Sequence, residues 1–197
     1  MSGSVSIEAI AIGASAGGVE ALSTLLSALP KPFVPAIIVV MHIPADRPSA
    51  LAQVFSARCR LPVREALDKE PVEAGTVYLA PPDYHLLLER DRILSLSCDP
   101  PVAFSRPSID VMFESAAYAY GDRLLGIVLS GANSDGAAGL ATIRREGGRA
   151  WVQRPADAMA SAMPAAAIER AGADLVLSLP DMSERLAHLR SGHMVAT

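Results

Sequence analysis

Short apolar runs and segments of helical period alternate along nearly the whole chain, and that alternation leaves few architectures open. Glu8-Ala-Ile-Ala-Ile-Gly13 stops at glycine, and Gly17 to Leu29 then places apolar residues at helical spacing, which reads as strand, tight turn and helix. Pro35 to His42 is apolar and largely β-branched, as a strand covered on both faces should be, and helical period returns from Pro48 to Cys59. Further on, the pattern predicts a helix from about Ser108 to Tyr120, a strand Leu124 to Ser130 and a helix Ala137 to Glu146. A strand Arg149 to Gln153, a helix Ala160 to Ala171, a strand Asp174 to Leu179 and a helix Met182 to Arg190 complete it, with Asp181 and Glu184 at capping-box spacing. Between Val63 and Cys98 the texture changes. Thr76 to Ala80, Tyr84 to Leu88 and Ile93 to Ser97 are short runs split by Pro81-Pro-Asp83 and Glu89 to Arg92, which predicts an inserted antiparallel ribbon. The expected fold is α/β: a three-layer, doubly wound, mostly parallel sheet carrying that ribbon.

Of the 197 residues, 51% are hydrophobic and 19% charged, enough core-forming material for one compact domain over residues 1–197, its core near 7–190. A chain of this size buries about 70% of its unfolded surface, so neither disulfides nor a structural metal are required. The two cysteines, Cys59 and Cys98, have no C-x-x-C spacing, consistent with a reduced chain. No run reaches the ~20 apolar residues of a membrane span, and Met1 to Ser6 lacks the layout of a signal peptide. The expectation is a cytoplasmic protein that is not membrane-inserted. Seventeen basic against 21 acidic side chains give a net charge of -4 with no basic run, which argues against a nucleic-acid partner.

Open α/β sheets bind ligands beyond the carboxyl ends of their strands, and three such ends carry chemistry. The first reads Gly13-Ala-Ser-Ala-Gly-Gly18, a G-x-S-x-G pattern between strand and helix. Ser15 is its candidate nucleophile and the Ala16 N–H a candidate oxyanion donor at a helix N-terminus. The same glycines could simply close a turn or cradle phosphate, although Walker A fails and the second glycine of G-x-G-x-x-G is missing. The second end places His42 beside that crevice, as a general base or a structural histidine. His85 lies in the presumed ribbon, while His188 and His193 lie in or beyond the last helix. The third reads Ser130-Gly-Ala-Asn-Ser-Asp135-Gly. Asp135 could orient an imidazole, or Asn133, Ser134 or Asp135 could cap the helix that follows. The order Ser, His, Asp departs from α/β-hydrolases, where the acid precedes the histidine; that fold would need His188 or His193 as base. Neither H-E-x-x-H nor clustered Cys/His ligands point to a metal.

Together Ile12-Gly-Ala-Ser-Ala-Gly-Gly18, Val40-Met-His-Ile-Pro44 and Leu129-Ser-Gly-Ala-Asn-Ser-Asp-Gly-Ala-Ala-Gly139 resemble the catalytic domain of chemotaxis protein-glutamate methylesterases, the CheB family. Val77-Tyr-Leu-Ala-Pro-Pro-Asp-Tyr-His85, Arg106-Pro-Ser-Ile-Asp-Val-Met-Phe113 and Met163-Pro-Ala-Ala-Ala-Ile168 extend the resemblance over almost the whole chain. It implies Ser15 as nucleophile, His42 as general base and Asp135 as orienting acid, with no metal or organic cofactor. The implied substrates are γ-glutamyl methyl esters on cytoplasmic helices of chemoreceptors or receptor-like helical proteins, with glutamine deamidation in some members.

Backbone near Gly131 and Ala132 is the implied second oxyanion contributor beside Ala16. Many members have threonine after the nucleophile and Thr-Gly-Met-Gly-Asn-Asp-Gly at the acid, where this chain has Ala16 and Ala132. Two-domain members also carry an N-terminal receiver domain; with a first strand at about Glu8, the expectation is a form without receiver control in the same chain. Arg47, Arg106 and Arg154 are candidates for contacting an acidic receptor helix, or are simply solvated charges. The rival functional classes are a noncatalytic phosphate- or partner-binding module and a small-ester hydrolase.

Overall fold

The computed structural model describes residues 6–43 and 50–189. In chain order the elements are β1 (Ala9–Ala14), α1 (Gly18–Ala28), β2 (Ala36–Met41), α2 (Leu51–Ser56), β3 (Val63–Glu65), β4 (Val77–Leu79), β5 (His85–Leu88) and β6 (Leu94–Ser97). Then follow α3 (Ile109–Tyr120), β7 (Leu124–Val128), α4 (Ala137–Arg145), β8 (Arg149–Gln153), α5 (Ala162–Ala171), β9 (Leu175–Leu177) and α6 (Leu179–His188). Arg47, Pro48, Arg190 and His193, which enter the sequence expectations, lie outside the described residues.

Seven strands form one sheet in the order β3-β4-β2-β1-β7-β8-β9, and every neighbouring pair is parallel. The chain moves outward from β1 on one side and returns to its other side at β7, so strand order reverses at β1. A crevice opens at the carboxyl end of such a reversal. β5 and β6 pair separately as an antiparallel ribbon and belong to the layer of α3.

Side chains leave the pleat alternately. Ile10 and Ile12 join Leu22, Leu25 and Leu26 of α1 and Met182 and Leu186 of α6 on one face. Ala9 and Ala11 join Ile109, Met112 and Phe113 of α3, Leu140 of α4 and Met163 of α5 on the other. Leu22, Leu25 and Leu26 are almost completely buried, and each contributes roughly 1.5–3 kcal/mol. α4 lies close against α3 because Gly139 has no side chain. A Cβ there would sit 2.9 Å from the Asp110 carbonyl oxygen, and the Gly139 N–H donates to Asp110 Oδ1 at 2.7 Å. That approach draws the segment before α4 over the start of α3.

Three details differ from the sequence expectation. Thr76 to Ala80 supplies β4, which pairs with β2 in the main sheet, not with the ribbon: Val77 is buried on one face and Tyr78 on the other. Val63–Glu65 adds an edge strand the sequence does not announce. Helix α6 begins at Leu179 rather than Met182, because Pro180 sits in its first turn, where a missing N–H costs nothing. Its cap is Ser178, whose hydroxyl accepts from the Asp181 N–H at 3.2 Å and donates to Asp181 Oδ2 at 2.6 Å.

Candidate active site

Ser15 follows β1 at the reversal point. Its N–H donates to the Ser130 carbonyl at 2.9 Å, and its carbonyl accepts from Gly18 N at 2.8 Å. Gly17 turns the chain into α1 with φ of 78°, a left-handed value that residues with a β-carbon rarely adopt. A Cβ there would also lie 2.8 Å from Ser130 Oγ. The Ser130 hydroxyl donates to the Ala16 carbonyl at 2.7 Å and accepts from Ala160 N at 2.9 Å. The carbonyls of Ser15 and Ala16 are therefore both tied down. In a trans peptide the N–H points opposite the carbonyl of the preceding residue, so the Ala16 N–H points away from the Ser15 carbonyl and its bond to Gly18, and Ala16 is exposed.

His42 leaves β2 with its backbone N–H on the Ala14 carbonyl at 3.1 Å. Its Nδ1 lies 3.2 Å from Ser15 Oγ and its Nε2 lies 2.8 Å from Asp135 Oδ2. The imidazole is 14% exposed and the carboxylate fully covered. With Nε2–H given to the carboxylate, Nδ1 presents its lone pair to the serine hydroxyl. The two nitrogens exchange the roles they have in the Ser-His-Asp protease template.

Asp135 takes more than the imidazole. Oδ1 accepts from Ser108 Oγ and Asp110 N, both at 2.9 Å, and Oδ2 accepts from Ile109 N at 2.7 Å. These are the first donors of α3, where the helix dipole also favours an anion. Burial works to raise the carboxyl, but the hydrogen bonds from His42, Asp110 and Ile109 outweigh it and hold it below the ordinary carboxylate range. The alternative reading, in which Asn133, Ser134 or Asp135 caps α4, does not hold. α4 starts from Gly136 with no side-chain cap, Asn133 Oδ1 accepts from Asp135 N at 3.1 Å, and Asp135 closes α3 instead.

Two supporting residues have no assigned role in the sequence reading. Ser108 bonds Asp135 and caps α3 through Val111 N. Buried His85 stands behind it: Nδ1 accepts from Ser108 N at 3.1 Å and Nε2 donates to the Pro100 carbonyl at 3.2 Å. The Pro-Ser-Ile-Asp segment does carry a helix-start signal, but nothing in the sequence links His85 to it.

The remaining candidates are dispersed. Gly131 N is taken by the Ala160 carbonyl at 3.0 Å, while Ala132 is exposed beside it. Arg106 lines a cleft of about 430 Å³ with His42, Phe104 and Pro107. Its guanidinium is committed to Asp83 and to the Cys98 and Asp99 carbonyls at 2.9 and 3.1 Å. Arg154 pairs with Asp157 at 2.9 Å and faces Asp181 at 3.8 Å. His188 bonds the Glu184 carbonyl within α6. Among the described residues no group of three or more His, Cys, Asp or Glu could hold a metal ion, and no helix is long and apolar enough to cross a membrane.

A hydroxyl, an imidazole and an ionised carboxylate linked in that order at the carboxyl edge of a parallel sheet define a serine-hydrolase type of site. The chain belongs to the CheB methylesterase family, whose model matches residues 10–186. It is 46% identical over 187 residues to a Leptospira interrogans protein provisionally named a protein-glutamate methylesterase/protein-glutamine glutaminase, covering 95% of this chain and 97% of that one. A Burkholderia lata protein-glutamate methylesterase/protein-glutamine glutaminase is 42% identical over 180 residues, and there the alignment spans 90% of this chain but 49% of the relative. The crystal structure of the Thermotoga maritima CheB methylesterase catalytic domain superposes with a TM-score of 0.88 at 32% identity, covering 94% of this chain and all of that one.

Proposed function

We propose that this chain is a protein-glutamate methylesterase that hydrolyses γ-glutamyl methyl esters on the cytoplasmic helices of chemoreceptors. The observation that carries the reading is the continuous link Ser15 to His42 to Asp135 in a member of this family. We read residues 1–197 as one catalytic unit acting in the cytoplasm.

Ser15 Oγ attacks the ester carbonyl while His42 Nδ1 takes its proton, and Asp135 stabilises the resulting imidazolium. The Ala16 N–H, joined by the backbone at Ala132, faces the developing oxyanion. As the tetrahedral intermediate collapses, His42 returns the proton to the leaving oxygen and methanol departs. Water then attacks the glutamyl-serine ester with His42 again as base, and as the second tetrahedral intermediate collapses His42 returns that proton to Ser15 Oγ, freeing the glutamate and restoring the serine. With a glutamine side chain the same steps release ammonia. Every proton moves through His42, and the chemistry requires no cofactor.

The turn itself favours this reading over a phosphate cradle. The N–H groups of Ser15 and Gly18 are both consumed by protein carbonyls, whereas a cradle needs a row of free donors. Arg106 enters as a brace for the cleft wall, its donors held by the chain itself.

The test is methanol release from methylated receptor membranes by the wild-type protein and by Ser15→Ala. Release should vanish in the variant together with labelling by a serine-directed fluorophosphonate. Undiminished release by Ser15→Ala would remove this serine from the mechanism.

A further inference from the structure

Two large apolar side chains stand exposed near the catalytic turn, one in the recess that contains His42 and one in the recess that contains Gly17. Phe104 is fully exposed at 104% relative area and Met159 is 82% exposed. Phe104 lines the cleft that contains His42. Met159 lies against Gly17, two positions beyond Ser15, and lines a second recess with Gly17 and Ser130. Isolated exposed apolar residues are ordinary. What sets Phe104 apart is the backbone that carries it.

Val102 and Ser105 bond each other reciprocally at 3.1 and 2.9 Å. The two residues between them, Ala103 at φ 48° and Phe104 at φ 63°, are both left-handed. Such a turn ordinarily takes Asn-Gly, and two residues with β-carbons adopt it only under strain. The strain is retained because the base of the hairpin is braced on both sides. Arg106 holds the Cys98 and Asp99 carbonyls and Asp83, and buried His85 holds the Pro100 carbonyl. The outcome is a strained tip, braced at its base, that lifts a phenyl ring into solvent on the wall of the cleft that contains His42. Preorganised aromatic side chains of this kind supply much of the energy of protein recognition.

We infer that Phe104 and Met159 are apolar anchors for the polypeptide segment that delivers the methyl ester to Ser15. The inference rests on the methylesterase reading and adds how the substrate is held. Continuity with the triad names the occupant. One recess contains His42, which bonds Ser15. The other contains Gly17 and Ser130, which flank Ser15 along the chain and through its N–H bond. The chain that brings an ester to Ser15 is therefore the one placed to use both. A glutamyl side chain alone cannot fill the catalytic position and both recesses together. A helix, about 10 Å across, presents apolar residues three and four positions to either side of the ester on the same face.

The experiment compares wild type with Phe104→Ala, Phe104→Gly, Met159→Ala and the Phe104→Ala/Met159→Ala pair. Two rates are measured: methanol release from methylated receptor membranes, resolved into kcat and KM, and labelling of Ser15 by a small fluorophosphonate. The paired variant should lose roughly tenfold or more in kcat/KM for receptor through a raised KM. The labelling rate should stay within about twofold. Phe104→Gly should weaken receptor turnover while melting no lower than wild type, because glycine relieves the left-handed strain. Receptor kcat/KM unchanged in the paired variant would overturn the inference and leave the methylesterase reading standing. A parallel fall in labelling would overturn it too, by assigning these side chains to support of the triad. A wild-type protein that is labelled but releases no methanol would refute the methylesterase reading, and this inference with it.

Discussion

Asp135 Oδ2 is hydrogen-bonded at 2.8 Å to Nε2 of His42, a residue 93 positions earlier in the chain, while the same carboxylate receives the first N–H groups of α3. One side chain thus fixes the imidazole and closes a helix. The two duties reinforce each other. Donors from Ser108, Ile109 and Asp110 hold the carboxylate in one rotamer, and a fixed carboxylate fixes the ring that must reach Ser15.

Asp135→Asn and Asp135→Ala should separate these duties. Asparagine keeps the shape but cannot stabilise an imidazolium, and kcat should fall by about 10⁴-fold, as for the equivalent change in serine proteases. Alanine should in addition lower stability by roughly 2–4 kcal/mol, because Ile109 N, Asp110 N and the Ser108 hydroxyl lose their acceptor. Ser15→Ala should stay within about 0.5 kcal/mol of wild type. Steady-state methanol release and urea denaturation measure the two effects.

The depressed Asp135 carboxyl has a consequence for acid stability. Its folded value lies below the ordinary range, whereas the unfolded chain titrates near 3.9, so the unfolded state binds more protons as pH falls. The stabilisation is complete above the unfolded value and disappears as pH drops through the folded one. The urea midpoint of wild type should therefore fall more steeply than that of Asp135→Asn as pH drops below the unfolded value of about 3.9. Parallel curves would show that this carboxylate does not carry the effect.

Gly17→Ala should damage both turn and catalysis. The φ of 78° strains any residue with a β-carbon, and the Ser130 hydroxyl 2.8 Å from the added carbon is held by two hydrogen bonds. Expected are a stability loss of about 1–3 kcal/mol and a drop in kcat of at least roughly tenfold as the Ala16 N–H moves. Thermal unfolding and fluorophosphonate inactivation report them separately.

Ser108→Ala removes one of the donors that hold Asp135 and leaves the backbone donors in place. A fall in kcat of roughly 3- to 30-fold with KM unchanged is expected, and Ser108→Thr should restore most of it. Equal losses in kcat for the alanine and threonine variants would reduce Ser108 to packing.

Ser15 and His42 are legible because each directly follows an apolar strand, and Asp135 because it stands in the loop between β7 and α4, all at the sheet edge where ligands bind. Their supports are not. The acceptor role of Asp135 toward α3 joins residues 25 and 26 positions apart, and no local signal encodes the pairing of a loop with a helix it follows. Ser178 is hidden as a cap because it falls within the run Asp174 to Leu179 that reads as strand, while Asp181 and Glu184 offer capping-box spacing further on. β4 carries the same short apolar texture as the ribbon, and only its partners distinguish them. The hairpin tip at Ala103 and Phe104 left no trace, since neither residue is a turn former.

The helix closure by Asp135 bears on how lineages of this protein can decay. A descendant that gave up hydrolysis would be free to lose Ser15, whose hydroxyl among the described residues bonds only the His42 ring, yet would remain under pressure to keep the aspartate for the sake of α3. In surveys of distant kin, retention of that acid therefore carries no information about activity, while replacement of the serine marks a retired enzyme.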